Sequence, residues 1–316
     1  MPEREITGPV DLCLPDGRLN PDAVGWSRRP LHRSNLRGWG RVKRWEYWGV
    51  VTPRFCVGLV VSSLDYAGVC SLWVLDRQTG DVWEAEAVPL LGRGVTLPVS
   101  YGGVASVTAK GLAIEMSDSR LRASAPGVEV DLAIGSGGEC LGVVVPWGAR
   151  RFQHTVKDVS RPVTGRLVLD DVPYDVAEGW AVLDHGRGKW PYSITWNWAA
   201  GSGEGRGITL GGKWTDGTGI TENGLFVDGR LHKIGDELSW DYDRADWQRP
   251  WRIHGSRVDA TFTPWREKVS RTDLVVLAGE THQCFGDWSG WALADDGERV
   301  PLDGLVGWAE EARNRW

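Results

Sequence analysis

An all-β fold, in two antiparallel β-barrel or curved-sheet halves with a short C-terminal helix, is what this sequence predicts. Three observations carry that expectation. The composition sets 42 glycines and 20 tryptophans against 2 methionines and 5 phenylalanines, a profile of many short strands joined by tight turns. Within "DHGRGKWPYSITWNW" (Asp184 to Trp198) the alternation is strict, with Tyr192, Ile194, Trp196 and Trp198 on one side and Ser193, Thr195 and Asn197 on the other. That is the period of two of a strand with one aromatic face. Asp-Gly pairs at Asp16-Gly17, Asp228-Gly229 and Asp296-Gly297 supply hairpin turns, since glycine accepts the positive φ that primed turns demand.

Taken in order, the expected strands include "CSLWVLD", "DVWEAEAV", "GLAIEMS", "VEVDLAI", "LGVVVPW", "GRLVLD", "GWAVLD", "RGITLGG" and "RVDATFT". Gly, Pro and Asp punctuate them at short intervals, and "GLFVDGRLHKI" is the clearest hairpin. Helical periodicity is confined to "DGLVGWAEEARNRW" at the end, which suits one or two amphipathic turns. Apolar alternation lapses in "KDVSRPVTG" (Lys157 to Gly165), where Pro162 would interrupt a ladder. The chain is therefore expected to divide into residues 1–160 and 161–316, each with roughly eight strands, enough to close a small barrel around one ligand.

The charge balance argues against nucleic acid: 36 basic residues stand against 42 acidic ones, net −6, with no basic stripe. "MPEREITGPV" lacks the apolar core of a signal peptide, and "FCVGLVV" falls far short of the ~20 residues of a spanning helix. A cytoplasmic protein without membrane insertion is expected. The five cysteines, Cys13, Cys56, Cys70, Cys140 and Cys284, form no C-x-x-C pair and read as reduced, buried thiols. "GSGEGRG" is no phosphate-binding loop, and neither G-x-S-x-G nor H-E-x-x-H occurs. The six histidines show no metal-ligand spacing, so neither metal nor cofactor is expected.

Five segments together, "LCLPDGRLNPDAVGWSRRPL", "RVKRWEYWGV", "VPWGARRFQHTVK", the run from Leu183 to Arg230 and "HQCFGDWSGW", resemble the bacterial and fungal family known as domain of unknown function 2804. The resemblance runs along nearly the whole chain. An Asp-His pair entering a Trp-rich strand, at Asp184, His185, Trp196 and Trp198, is also similar to the tandem-lipocalin group, which includes carotenoid hydratases such as hydroxyneurosporene synthase. That similarity implies two lipocalin-like halves and a small hydrophobic partner, isoprenoid or polyketide in character.

The residues themselves offer candidate chemistry. Proton transfer to an unactivated substrate needs a carboxyl or imidazole whose pKa is shifted by a dry environment. Asp184, His185 and Glu222 are the candidate catalytic groups, with Tyr192, Trp196, Trp198, Trp214 and Asn223 as substrate-binding residues. Asp184 and His185 would point to opposite faces if their strand is continuous, so only one can face a ligand. The same Asp-His-Gly-Arg-Gly segment also reads as a turn, and Glu222-Asn223 as a loop closed by side-chain-to-backbone bonds. Arg151, His154 and Lys157 alternate loosely, as anion ligands or a solvated face, and Lys189 beside Trp190 suits a cation–π contact.

Three functions fit. One is a cofactor-independent acid-base enzyme, a hydratase, isomerase or cyclase acting on a hydrophobic substrate between aromatic walls, whose negative ring faces stabilise developing positive charge. A carrier of lipid-like ligands needs the same walls without a shifted acid. A carbohydrate-active β-protein needs two carboxylates across an open cleft.

Overall fold

Alternation and turn chemistry carry through to antiparallel sheet along almost the whole chain in a computed structural model that describes residues 3–274 and 277–315. The chain forms two strongly curled half-barrel sheets. One compact unit spans Ile6–Trp190, and the other takes residues 191–315 together with residues 3–5. Glu3 belongs to the second unit because its carboxylate accepts hydrogen bonds from Lys233 Nζ at 3.0 Å and from the Thr221 hydroxyl at 2.7 Å. The expected boundary near residue 160 falls inside one strand, Arg151–Leu169. Pro162 is tolerated there beside a register shift between Asp158 and Arg161, where Ser160 takes a φ of +60°.

In the first unit the sheet runs, by neighbours, Val82–Ala87, Gly68–Asp76, Phe55–Ser63, Val42–Val51, Trp180–Lys189, Arg151–Leu169, Val128–Ile134, Arg120–Ala125, Leu112–Met116, Ala105–Ala109 and Val95–Thr96. The two ends of that order meet in one apolar cluster. Leu59, Val61 and Leu72 from one end pack with Val107, Ile114, Leu121 and Leu132 from the other, and Trp48 and Leu183 lie between them. Each such aliphatic side chain contributes ~1.5–3 kcal/mol when taken fully out of water. The sheet curls because a single flat layer could bury only one face of this set.

The second unit is ordered Arg230–Ile234, Asn223–Val227, Arg206–Gly212, Ser193–Gly203, Val306–Arg315, Leu277–Leu293, Val258–Leu274, Trp251–His254 and Ser239–Asp241. The Asp228-Gly229 hairpin forms as its chemistry demands, with φ of +47° and +77° between two paired strands. The expected C-terminal helix does not form. Residues 306–315 are a strand held on both sides, by Ser193–Gly203 and by Leu277–Leu293, and this pairing outweighs local helix preference. Met1, Pro2 and Trp316, which open the signal-peptide reading and close the helix reading, lie outside the described residues. Among the described residues, no helix is long and apolar enough to cross a membrane.

Candidate active site

The Asp184-to-Lys189 segment is mid-strand, not a turn. Trp180–Lys189 is paired on one side with Val42–Val51 and on the other with Arg151–Leu169. Its glycines serve close approach instead. A Cβ on Gly186 would lie 2.0 Å from Trp45 Cε2, and one on Gly188 would lie 2.1 Å from Gln153 Oε1. The Trp45 indole thus lies over a bare backbone. Gly186→Ala is expected to destabilise the protein by ~1–3 kcal/mol through overpacking against a ring hemmed in by Trp190; chemical unfolding of the variant checks it.

Continuity of the strand sends its side chains to alternate faces. Asp184 lies on the face of Trp45, where it accepts from the Thr155 hydroxyl at 2.9 Å and pairs with Lys157 at 2.9 Å. His185 and Arg187 lie on the other face, in register with Glu46 and Arg44 and flanked by Leu183 and Trp48 of the apolar cluster. Of the expected pair, His185 alone faces the interior of its unit.

There Glu46 Oε1 sits 2.7 Å from His185 Nδ1 and accepts from Arg187 Nη2 at 2.6 Å. All three side chains are buried. Burial opposes ionisation of Glu46, but the histidine and the guanidinium on it prevail and hold its pKa below the usual carboxylate range. An ionised Glu46 can only accept, so His185 carries its proton on Nδ1. Burial first, and the Arg187 charge second, lower the His185 pKa. Its Nε2 is buried and without a hydrogen-bond partner. The arrangement is a carboxylate-oriented imidazole with a bare basic nitrogen, the relation that a base has to its orienting acid in a catalytic triad.

Two further groups share this inner face. His154 is in register with Arg187, its ring 5.9 Å from that of His185 and 4.7 Å from that of His32. Its Nδ1 lies 3.3 Å from the Ser34 hydroxyl, its Nε2 is partnerless, and burial drives its pKa well below the ordinary value. Asp158 is in register with Leu183, which places it diagonally across the strand pair from His185, roughly 7–8 Å between Cα atoms. Burial raises the Asp158 pKa, although Arg161 at 2.7 Å and the Tyr101 hydroxyl both oppose the rise. Both partners bond Oδ2; Oδ1 is buried with none. The bulge at Val159 and Ser160 keeps Arg161 on the same side as Asp158.

The other expected site residues lie in the second unit. Glu222 is buried, and Asn223 ties two backbone segments together, accepting from Gly211 N at 2.7 Å and donating to Asp236 O at 2.8 Å. That is the loop-closing role. Trp196 and Trp198 share a face, but it is the face opposite Ala199, the member of this strand in the unit's apolar cluster. Their indole N–H groups donate to Glu310 and to Thr209. Trp214 is buried in a turn, and Tyr192 is half exposed. Asp184 and His185 thus lie on opposite faces of one strand in the first unit, and Glu222 lies in the second unit.

Arg151, His154 and Lys157 do not gather either: His154 faces inward and the other two lie on the reverse face. Lys157 and His154 are buried, so this is no solvated face. Lys189 donates to Gly17 O at 2.8 Å and sits 6.0 Å from the Phe152 ring. Glu46, Asp158, Arg161, Arg187 and Tyr101 are the residues that sequence reasoning missed as a group. Among the described residues, no group of three or more His, Cys, Asp or Glu side chains is arranged to hold a metal ion.

Comparison with known proteins fixes the lineage. The chain matches the domain of unknown function DUF2804 over residues 3–316. It belongs to that family. Among curated proteins none matches. This DUF2804 protein is similar in fold to kievitone hydratase from Nectria haematococca, with a TM-score of 0.52 and 13% identity over 87% of this chain and 88% of that one. It is also similar to an ATTH candidate from Nitrosomonas europaea, with a TM-score of 0.51 and 12% identity over 86% and 92%. At such identities the likeness concerns the fold, and that fold is shared with a hydratase.

Proposed function

We propose that the protein is a cofactor-independent acid-base enzyme of hydratase type, acting on an apolar, double-bonded substrate at the inner face of the Ile6–Trp190 unit. One observation carries the reading: an acid shifted toward its neutral form, Asp158, and an imidazole with a bare buried nitrogen, His185, share one apolar face. In the hydration step Asp158 gives its proton to one carbon of the double bond. The cation left on the other carbon is stabilised by aromatic faces, for which Trp48 and Tyr101 are placed. Water adds to that carbon, its surplus proton passes to His185 Nε2, and return of the proton to Asp158 closes the cycle. Without water, loss of a proton to the same nitrogen gives an isomerase or cyclase. Glu46 holds the imidazole tautomer, and Arg187 keeps Glu46 ionised.

Kievitone hydratase, by its name, hydrates kievitone; the present chain shares its fold, which supports a hydratable substrate with an apolar part. Cytoplasmic residence and a small hydrophobic ligand complete the reading. The test begins with organic extraction of the purified protein and mass spectrometry of what is released, which supplies the substrate class. His185→Gln and Asp158→Asn are each expected to lower turnover of that compound by ~10²–10⁴-fold, with Asp184→Asn leaving it unchanged. Full turnover in both inner-face variants would refute the assignment, and a bound lipid with no turnover in the native protein would make it a carrier.

A further inference from the structure

The inner face is roofed by residues 88–104, and this segment is unlike the rest of the surface. Nine large apolar or aromatic side chains are exposed among the described residues, and five of them, Val88, Leu90, Leu91, Val99 and Val104, lie on this one stretch. Its only regular structure is the two-residue strand Val95–Thr96. Leu91, Gly92, Gly94 and Gly102 all take positive φ, so the segment turns repeatedly on itself.

Its underside is fastened to the proposed site. Val95, Leu97 and Tyr101 pack against the apolar cluster. Pro98 O accepts from Arg187 Nη2 at 2.7 Å, and the Tyr101 hydroxyl donates to Asp158. Lifting this segment would free the proton donor Asp158 and the Arg187 that holds Glu46 ionised.

Trp39, the most exposed large aromatic among the described residues, is at the same end of the unit. It precedes Val42, whose N–H donates to Asp65, while Leu91 N–H donates to Tyr66 O and Gly68 N–H to Pro89 O. The turn around residues 65–68 thus touches both stretches. In a chain of net charge −6, residues 36–41 and 88–104 hold no acid, but they hold Arg37, Arg41 and Arg93, all exposed. Apolar and tryptophan side chains interleaved with arginines suit a surface that is apolar just below an anionic layer.

We propose that residues 88–104 and Trp39 form a lip that rests on an anionic lipid surface and passes an apolar substrate from it to the inner face. The passage of substrate rests on the acid-base reading; the contact with lipid does not. Contact would replace water on Leu90 and Leu91 with acyl chain and leave the arginines among headgroups. This is contact with the interface only, with no segment crossing.

The experiment is co-sedimentation of the full chain with vesicles of phosphatidylcholine alone or mixed with phosphatidylglycerol. The native protein is expected to bind the mixed vesicles, and to bind pure phosphatidylcholine about tenfold less. Leu90→Glu combined with Leu91→Glu is expected to lower binding to mixed vesicles by about tenfold or more, with Val172→Glu, an exposed valine on another segment, binding as the native protein does. No binding by the native protein, equal binding to both vesicles, an equal loss in Val172→Glu, or full binding by the double variant would each overturn the proposal. So would a native dimer that the double variant splits, because a second copy would then cover the patch. Binding is read without turnover, so failure of the acid-base reading leaves this result intact, and the reverse holds.

Discussion

Glu46→Ala is expected to cost ~3–5 kcal/mol of unfolding free energy, measured by denaturant titration at neutral pH. The reason is what the substitution leaves behind. Arg187 is buried among Trp48-side residues and spends its donors on Glu46 and on the carbonyls of Trp45, Gly186 and Pro98. The carbonyls satisfy its hydrogen bonds, and the compensating charge comes chiefly from Glu46, with Asp184 a smaller contributor. His185 loses the acceptor for its Nδ1–H in the same step. Removing one partner of a buried pair is costly because of the charge stranded, even where the intact pair contributes little net stability. A double variant, Glu46→Leu with Arg187→Met, is therefore expected to recover much of the loss, since both charges then leave together. It would fold without the orienting carboxylate and would be inactive. A loss below ~1 kcal/mol in Glu46→Ala would mean that Arg187 finds solvent, and the inner face would not be dry.

The architecture was legible to the extent that local pattern decides it. Strict alternation from Ser193 to Trp198 and the Asp228-Gly229 turn translate directly into observed ladders, because period and turn chemistry act over a few residues. The C-terminal strand was not legible. "GWAEEARNR" has good helix formers, and only its two neighbouring strands, from Ser193 and from Leu277 onwards, make it β.

The grouping of residues around His185 was hidden for the same reason on a larger scale. Glu46 and His185 are 139 residues apart in sequence, and only sheet register brings them together. A local signal did exist. In "RVKRWEYWGV", Glu46 falls on the side of Trp48 and Val50, and in "RRFQHTVKD", His154 and Asp158 fall on the side of Phe152 and Val156. Charged or titratable residues on the apolar side of an alternating strand mark buried polarity. Attention to the Trp-rich stretch favoured Trp196 and Trp198, whose face turned out to be opposite their own unit's apolar cluster.

Acid sensitivity above pH 5 is the second large effect expected, and its sign follows from the three inner histidines. Burial lowers the pKa of His32, His154 and His185 below the ordinary value of about 6.5. In the unfolded chain they protonate as pH falls through that value; in the folded protein they resist. The unfolded state then binds more protons, so stability is full above pH ~6.5 and declines as pH falls toward the folded-state values. Each histidine contributes at most ~1.4 kcal/mol per pH unit, and since the unfolded histidines are only half protonated at pH 6.5, up to ~3 kcal/mol separates pH 6.5 from pH 5.5. Neighbouring groups moderate this slope. Glu46 favours the charged form of His185, and Asp158, whose pKa is raised, acts in the opposite sense because its folded form takes a proton more readily than the unfolded one. His154 has no such carboxylate, and the charges of His32, His185 and Arg187 around it all disfavour its protonation. Urea unfolding at pH 7.5, 6.5 and 5.5 measures the slope, and His154→Gln is expected to remove about one histidine's share of it. A flat profile, or one unchanged in His154→Gln, would mean that the native protein already carries these imidazoles protonated. The bare Nε2 of His185 would then be no base, and the hydration step would have to take its proton elsewhere.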